Sequence, residues 1–315
     1  KMSSKTKEFL KKTTIFWVLV LLIVIMAFLS PAFLKGRNVA NIVKQISING
    51  ILAVGMTMVI ITGGIDLSVG SVVALSSITA AFFGTAEKDY PAVIAVLMAV
   101  LVGVIVGLIN GIGVAYIGFP AFIVTLSTMT IVRGLALIVT NGVPIFGLSD
   151  SMINLANGTL ANIPNLVFYL LAVFIVGIVL LNFTVFGRHL YSVGGNSEAA
   201  NSAGIHVNRI LTVSYCISGF CAGLAGALAA SRITSGNPTT GEGYEMNAIS
   251  AAVIGGVSMS GGKGGLFGTL IGALLIGVMQ NGLDILGVSS YYQKVIQGLI
   301  ILVAVFFDIR GNKEN

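Results

Sequence analysis

Runs of apolar residues, broken at proline, glycine or charged positions, divide the chain into ten segments that read as membrane crossings. They are 14–30, 46–62, 69–84, 92–112, 121–139, 166–183, 210–230, 247–258, 265–280 and 292–307. Most approach the roughly 20 residues an α-helix needs to span the hydrocarbon core of a bilayer. The eighth is short, because twelve residues rise only about 18 Å as a helix. It is expected to start in the preceding loop or to enter the membrane part-way. The fold class that follows is all-α: a polytopic helical membrane protein with one transmembrane domain over 1–315, a polar tail at 1–13 and long loops at 140–165 and 184–209.

Composition agrees. Of 315 residues 56% are hydrophobic and 9% charged, against about 25% charged in an ordinary soluble domain. A water-soluble catalytic domain needs on the order of 50 residues, and no polar stretch here comes near that length. Any energy-coupling machinery must therefore sit on another chain. The net charge of +6 is scattered singly apart from Lys1, Lys5, Lys7, Lys11 and Lys12, so no nucleic-acid partner is expected. The apolar run after those lysines ends at Ser30-Pro31 without a small-residue cleavage pattern, which reads as a retained first span. Lysine and arginine gather on the cytoplasmic side of short loops. Ten basic residues against six then place both termini inside, the 184–209 loop in the cytoplasm and the 140–165 loop outside. Cys216 and Cys221 share one apolar segment and are expected to pack as small hydrophobes.

Glycine is the unusual residue, at 40 positions. Gly103, Gly107 and Gly111 fall on one helical face, as do Gly219, Gly223 and Ala227, and Gly264, Gly268 and Gly272. Such spacing lets helix backbones approach closely in lipid. A faint repeat aligns 63–70 (GGIDLSVG) with 255–262 (GGVSMSGG), either an internal duplication of the kind transporters show or chance in a glycine-rich chain.

Charge at membrane depth is rare. Arg133 stands inside one apolar run and Asp66 in the break between two, where each is costly unless paired or hydrated. Either the two pair or line a hydrated path, or Asp66 caps the helix that follows. No catalytic constellation is evident: His189 and His206 lie in the inner loop without carboxylate or cysteine companions at metal-ligand spacing. Gly261-Gly262-Lys263-Gly264 lacks the remaining phosphate-loop positions, which hold Val257 and Gly264. No cofactor is expected on this chain, and it is not expected to be an enzyme.

The stretch from Ala53-Val54-Gly55-Met56-Thr57 through Gly63-Gly64-Ile65-Asp66-Leu67-Ser68-Val69-Gly70-Ser71 resembles the signature of permeases of bacterial ABC sugar importers. These belong to the branched-chain amino acid/ribose-type family. Further agreement follows in order at Thr140-Asn141-Gly142, Gly187-Arg188, Gly194-Gly195-Asn196, Gly243-Tyr244-Glu245, Gly255-Gly256 and 261–264. Asn281-Gly282-Leu283 and 286–293 resemble the ribose branch most closely. The resemblance implies a homodimer in a bacterial cytoplasmic (inner) membrane, with a sugar-binding protein outside and an ABC ATPase inside that holds ATP and magnesium. Ribose is the sugar it points to, with galactose or another pentose or hexose as alternatives. A secondary carrier or facilitator is the rival class, and a membrane enzyme the third.

Few fixed charges suit a neutral polyol, so Asp66, Arg133, Asn141, Tyr244 and Asn281 become the candidate substrate pathway. Glu198-Ala199-Ala200, with Gly204 four residues on, resembles the motif such permeases present to their ATPases, although its later hydrophobic-proline part is missing. A short helix is expected at 197–203, with Glu198 favouring its N-terminal dipole, Gly204 forming a left-handed exit, and small Ala199, Ala200 and Ala203 allowing it into a groove.

Overall fold

The computed structural model describes residues 4–88 and 90–313, so Lys1 of the lysine cluster lies outside them. The helices are α1 (Ser4–Leu29), α2 (Gly36–Ile61), α3 (Val69–Phe83), α4 (Ala92–Ala115), α5 (Ala121–Thr140), α6 (Asp150–Asn157) and α7 (Asn165–Phe183). They continue with α8 (Val185–Gly195), α9 (Ser197–Ser202), α10 (Val207–Ile233), α11 (Tyr244–Ile254), α12 (Leu266–Ile285) and α13 (Ser290–Lys313). A small antiparallel hairpin pairs β1 (Thr159–Leu160) with β2 (Ile163–Pro164).

Each of the ten expected segments carries a helix. Six of them, α2, α4, α5, α7, α10 and α12, are long and apolar enough to cross a membrane, while α3 and 15–29 of α1 are apolar but shorter. Several boundaries move. The helix begins at Ser4, inside the stretch expected to be a tail. α2 starts at Gly36 rather than 46, its first turns polar with Arg37, Asn38, Lys44 and Gln45. The eighth segment becomes the 11-residue α11, which does start in the preceding loop. It ends before 258 because Gly255 closes the helix and Gly256 turns the chain at φ +88°.

The glycine faces find each other. A Cβ on Gly103 would strike the Gly219 carbonyl, one on Gly107 the Tyr215 carbonyl, and one on Gly223 would lie 2.7 Å from the Ala99 carbonyl oxygen. α4 and α10 therefore meet backbone to backbone. α10 runs through the middle of the bundle with α2 and α3 on its other sides, and its 219–231 stretch is buried apart from Phe220. In the third glycine set, Gly268 and Gly272 seat α12 on the Gly255 and Ala251 carbonyls of α11. Gly264, expected on the same face, instead lies in the loop before α12. α2 and α12 are also joined by Thr57 and Thr269, whose hydroxyls are 2.8 Å apart. The outward faces of α5 and α7 expose Ile131, Ile138, Ile175 and Val176, the surface a lipid-facing helix presents.

The loops gather at two ends. At one, α6 and its flanks tie down the 140–165 segment: Ile145 and Gly236 exchange backbone hydrogen bonds at 2.9 Å, and Ser149 N–H donates to Gly84. At the other lie 62–68, α8 with α9, and 255–265, linked by Gly262 N–H donating to the Ile61 carbonyl at 2.8 Å. Cys216 and Cys221 are free thiols, Cys221 packed in the core.

Candidate transport site

A cavity of about 510 Å³ opens toward the α6 end, between α2, α11, α12 and α13. Its wall is built of amides. Asn247 of α11 accepts from Gln280 of α12 at 2.8 Å and from Gln297 of α13 at 2.6 Å, and Gln45 of α2 donates to Gln280 at 3.3 Å. Gln293, one turn from Gln297 on the same face of α13, donates to Asp284 at 2.7 Å. Glu242, Tyr244 and Glu245 complete the rim. Four helices thus converge amide donors and acceptors on a space within the size range of small-molecule sites. Its amides can exchange hydrogen bonds with hydroxyl groups, and the charged residues Glu242, Glu245, Asp284 and Lys294 also line it.

The expected pathway residues are scattered around this cavity. Tyr244 lines it. Asn281 does not: it pairs reciprocally with Asn38, at 2.9 and 3.0 Å, and clamps the start of α2 to the end of α12. Its neighbour Gln280 faces the space instead. Asn141 is the exposed, left-handed cap of α5 at φ 50°. Arg133 donates to the carbonyls of Pro238 and Thr240 at 2.7 and 3.0 Å. It therefore holds the loop that leads into the rim from behind.

Asp66 and Arg133 do not pair, since each is satisfied by other groups. Asp66 is 1% exposed, at the α8–α9 end. One carboxylate oxygen accepts from the Ser68 N–H at 3.1 Å and the Ser68 hydroxyl at 2.6 Å, and the other accepts from the Ser218 hydroxyl of α10 at 2.7 Å. Asn110 of α4 donates to the Ser68 hydroxyl at 2.9 Å. The carboxylate therefore holds Ser68, the residue that leads into α3, close to the helix end where the dipole favours negative charge. It does so in the interior and not at the expected water boundary, binding α3, α4 and α10 into one knot.

The 184–209 loop contains the expected helix. α9 covers Ser197–Ser202, with Asn196 as its N-cap accepting from Ala199 N–H at 2.9 Å. At its end Gly204 N–H donates to Asn201 and Ile205 N–H to Ala200, both at 3.0 Å. Gly204 takes φ +84°. This pair of bonds is the Schellman closure, and glycine is the residue that adopts its left-handed position without strain. Glu198, Ala199 and Ala203 are exposed, whereas Ala200 is buried against the chain's own body. Ala200 therefore cannot face a partner, in contrast to the expectation. A cavity of about 570 Å³ beside α9 is lined by Tyr116, Glu198, Asn201, His206 and Arg209 among others.

The amide cluster escaped the sequence reading, whose neutral candidates were Asn141, Tyr244 and Asn281. Its one local signal was the four-residue spacing of Gln293 and Gln297. Among the described residues no group of three or more histidine, cysteine or acidic side chains is placed to hold a metal.

Stacked apolar helices around a polar, amide-rich cavity, with a polar loop at the opposite end, define a membrane permease. The family model described as branched-chain amino acid transport system / permease component matches residues 38–305, and the chain belongs to that family. It is similar to the ribose import permease protein RbsC of Bacillus subtilis, 47% identical over 292 residues, 92% of this chain and 90% of that protein. The ribose import permease protein of Haemophilus influenzae is 43% identical over 96% of this chain and 94% of its own length. The D-allose transport system permease protein of Escherichia coli is 38% identical over 93% and 90%. No solved structure matches. The protein is thus a multi-pass component of a transport system, and not an enzyme.

Proposed function

We propose that this chain is the membrane-spanning permease of an ATP-binding cassette importer that brings ribose across the bacterial inner membrane. It works as a homodimer, takes the sugar from an extracytoplasmic binding protein and draws energy from a cytoplasmic ATPase that carries ATP and magnesium. The support that carries this reading is the likeness to ribose permeases over nearly the whole chain. The amide-lined cavity is the pathway segment in this reading: Asn247, Gln280 and Gln297 meet the sugar hydroxyls, and Tyr244 offers it a flat apolar face. The contacts are neutral and replaceable, so the sugar leaves as readily as it enters. The 184–209 loop is cytoplasmic, with both termini, and α9 is the element that docks on the ATPase through Glu198, Ala199 and the Gly204 exit.

The test is reconstitution in liposomes. The chain together with an ATPase and a ribose-binding protein that co-purify with it should hydrolyse ATP faster when ribose-loaded binding protein is present, and should accumulate ribose. Ribose uptake by the chain alone, without ATP, would replace this reading with that of a facilitator.

A further inference from the structure

The two glycine motifs that resemble each other in the sequence meet in the fold, and the end of α8 lies between them. Ile61 is the last residue of α2, so its carbonyl has no partner further along the helix. The Gly262 N–H from the α11–α12 loop supplies one at 2.8 Å. Gly194, near the C-terminus of α8, sits against this bond: a Cβ there would strike the Ile61 carbonyl oxygen and lie 2.7 Å from Gly262 N. A Cβ on Gly261 would lie 2.7 Å from the Gly194 carbonyl and 2.9 Å from Gly63 N. The Tyr191 hydroxyl, on the same helix, donates to the Gly264 carbonyl at 2.9 Å. Three backbones are therefore in contact with no side chain between them, and backbone contacts of this kind transmit displacement without slack.

The connections on either side give the junction its meaning. On one side, Asn196 both ends α8 and caps α9, so only Gly195 and Asn196 separate Gly194 from α9. On the other, α2, α11 and α12 all terminate there, and these helices carry Gln45, Asn247 and Gln280 at the cavity. We infer that the Gly194–Ile61–Gly262 junction is the contact through which movement of α9 reaches the cavity wall, with Gly194 its positioning residue. This rests on the reading of α9 as the ATPase-docking element.

Adjacent glycines provide a matched test, since the Cβ position of Gly195 meets nothing within 4 Å. In the reconstituted complex, Gly195→Ala should couple within about two-fold of the parent. Gly194→Ala should still bring down the ATPase on purification but lose at least about ten-fold of sugar-stimulated ATP hydrolysis and of uptake per complex. Tyr191→Phe, which removes a hydrogen bond and adds no atoms, should lower stimulation about two- to five-fold with assembly unchanged. It decides the matter if Gly194→Ala does not assemble. Parental coupling in Tyr191→Phe, or in an assembled Gly194→Ala, overturns the junction while leaving the importer reading intact. A parent complex without sugar-stimulated hydrolysis overturns the importer reading instead.

Discussion

Asp66 separates an anchoring role from a place on the pathway. Its carboxylate accepts four hydrogen bonds in the bundle interior, from the Ser68 N–H and hydroxyl at 3.1 and 2.6 Å, from Ser218 at 2.7 Å and a long one from Asn110 at 3.5 Å, and hydrogen bonds to a charged group contribute about 1.5–3 kcal/mol each. In Asp66→Ala the two serine hydroxyls can turn to helix carbonyls, but the Ser68 N–H cannot turn. One buried donor left unpaired costs about 1–3 kcal/mol, and the lost tie to α10 adds a similar amount. The variant should therefore be destabilised by about 3 kcal/mol or more. Asp66→Asn keeps an oxygen toward Ser68 and turns its amide toward Ser218, whose hydroxyl then accepts. It should lose about 1–2 kcal/mol, because neutral bonds are roughly half as strong. Ser218→Ala should cost about 1.5–3 kcal/mol, and a double-mutant cycle of Asp66→Ala with Ser218→Ala should return a coupling of similar size. Titration with a denaturing detergent in mixed micelles measures the parent and its four variants. A coupling near zero, or an Asp66→Ala protein as stable as the parent, refutes the knot. An Asp66→Asn protein of parental stability that no longer takes up sugar returns Asp66 to the pathway.

Gly204→Val keeps open space around the side chain, since nothing lies within 4 Å of its Cβ position, but imposes φ +84° on a β-branched residue, at a cost of at least about 1–2 kcal/mol. The permease should insert normally and lose sugar-stimulated ATP hydrolysis in the reconstituted complex, whereas Gly204→Asn, which tolerates this conformation, should retain most of it. Gly107→Leu would drive a side chain into the Tyr215 carbonyl, where backbone cannot yield, and should lower stability in micelles by more than about 3 kcal/mol. Gly134→Leu, with nothing within 4 Å, should stay within about 0.5 kcal/mol of the parent. Asn247→Leu removes the acceptor shared by Gln280 and Gln297. Transport should then need at least about ten-fold more sugar-loaded binding protein for half-maximal rate, with ATPase assembly unchanged, and an unaltered rate curve would take the amide cluster off the pathway.

The sequence by itself determined whatever depends on neighbours within a turn or two. Hydropathy located a helix in each of the ten expected segments, because burying backbone in lipid leaves an apolar run little choice but a helix. The short α9 and its exit at Gly204 were legible because capping is written in adjacent residues, and the helix ended one residue from its expected limit. The i, i+4 glycines marked the faces of α4 and α10, though not that these two faces meet each other.

Tertiary structure alone decided which polar groups come together. Asn38 and Asn281 are 243 positions apart, Gln45 and Gln280 are 235, and Asp66 and Ser218 are 152. A neutral amide accepts almost any partner, so nothing local ranks Gln280 above Asn281 as the residue facing the cavity. The rotation of α12 decides that, and Gly268 and Gly272 fix the rotation by seating α12 on the carbonyls of α11. The sequence left Asp66 open between a pathway charge and a helix cap, because burial and hydrogen-bond partners cannot be read from a residue's neighbours in the chain. Once Ser218 arrives on α10, the same carboxylate becomes part of the scaffold.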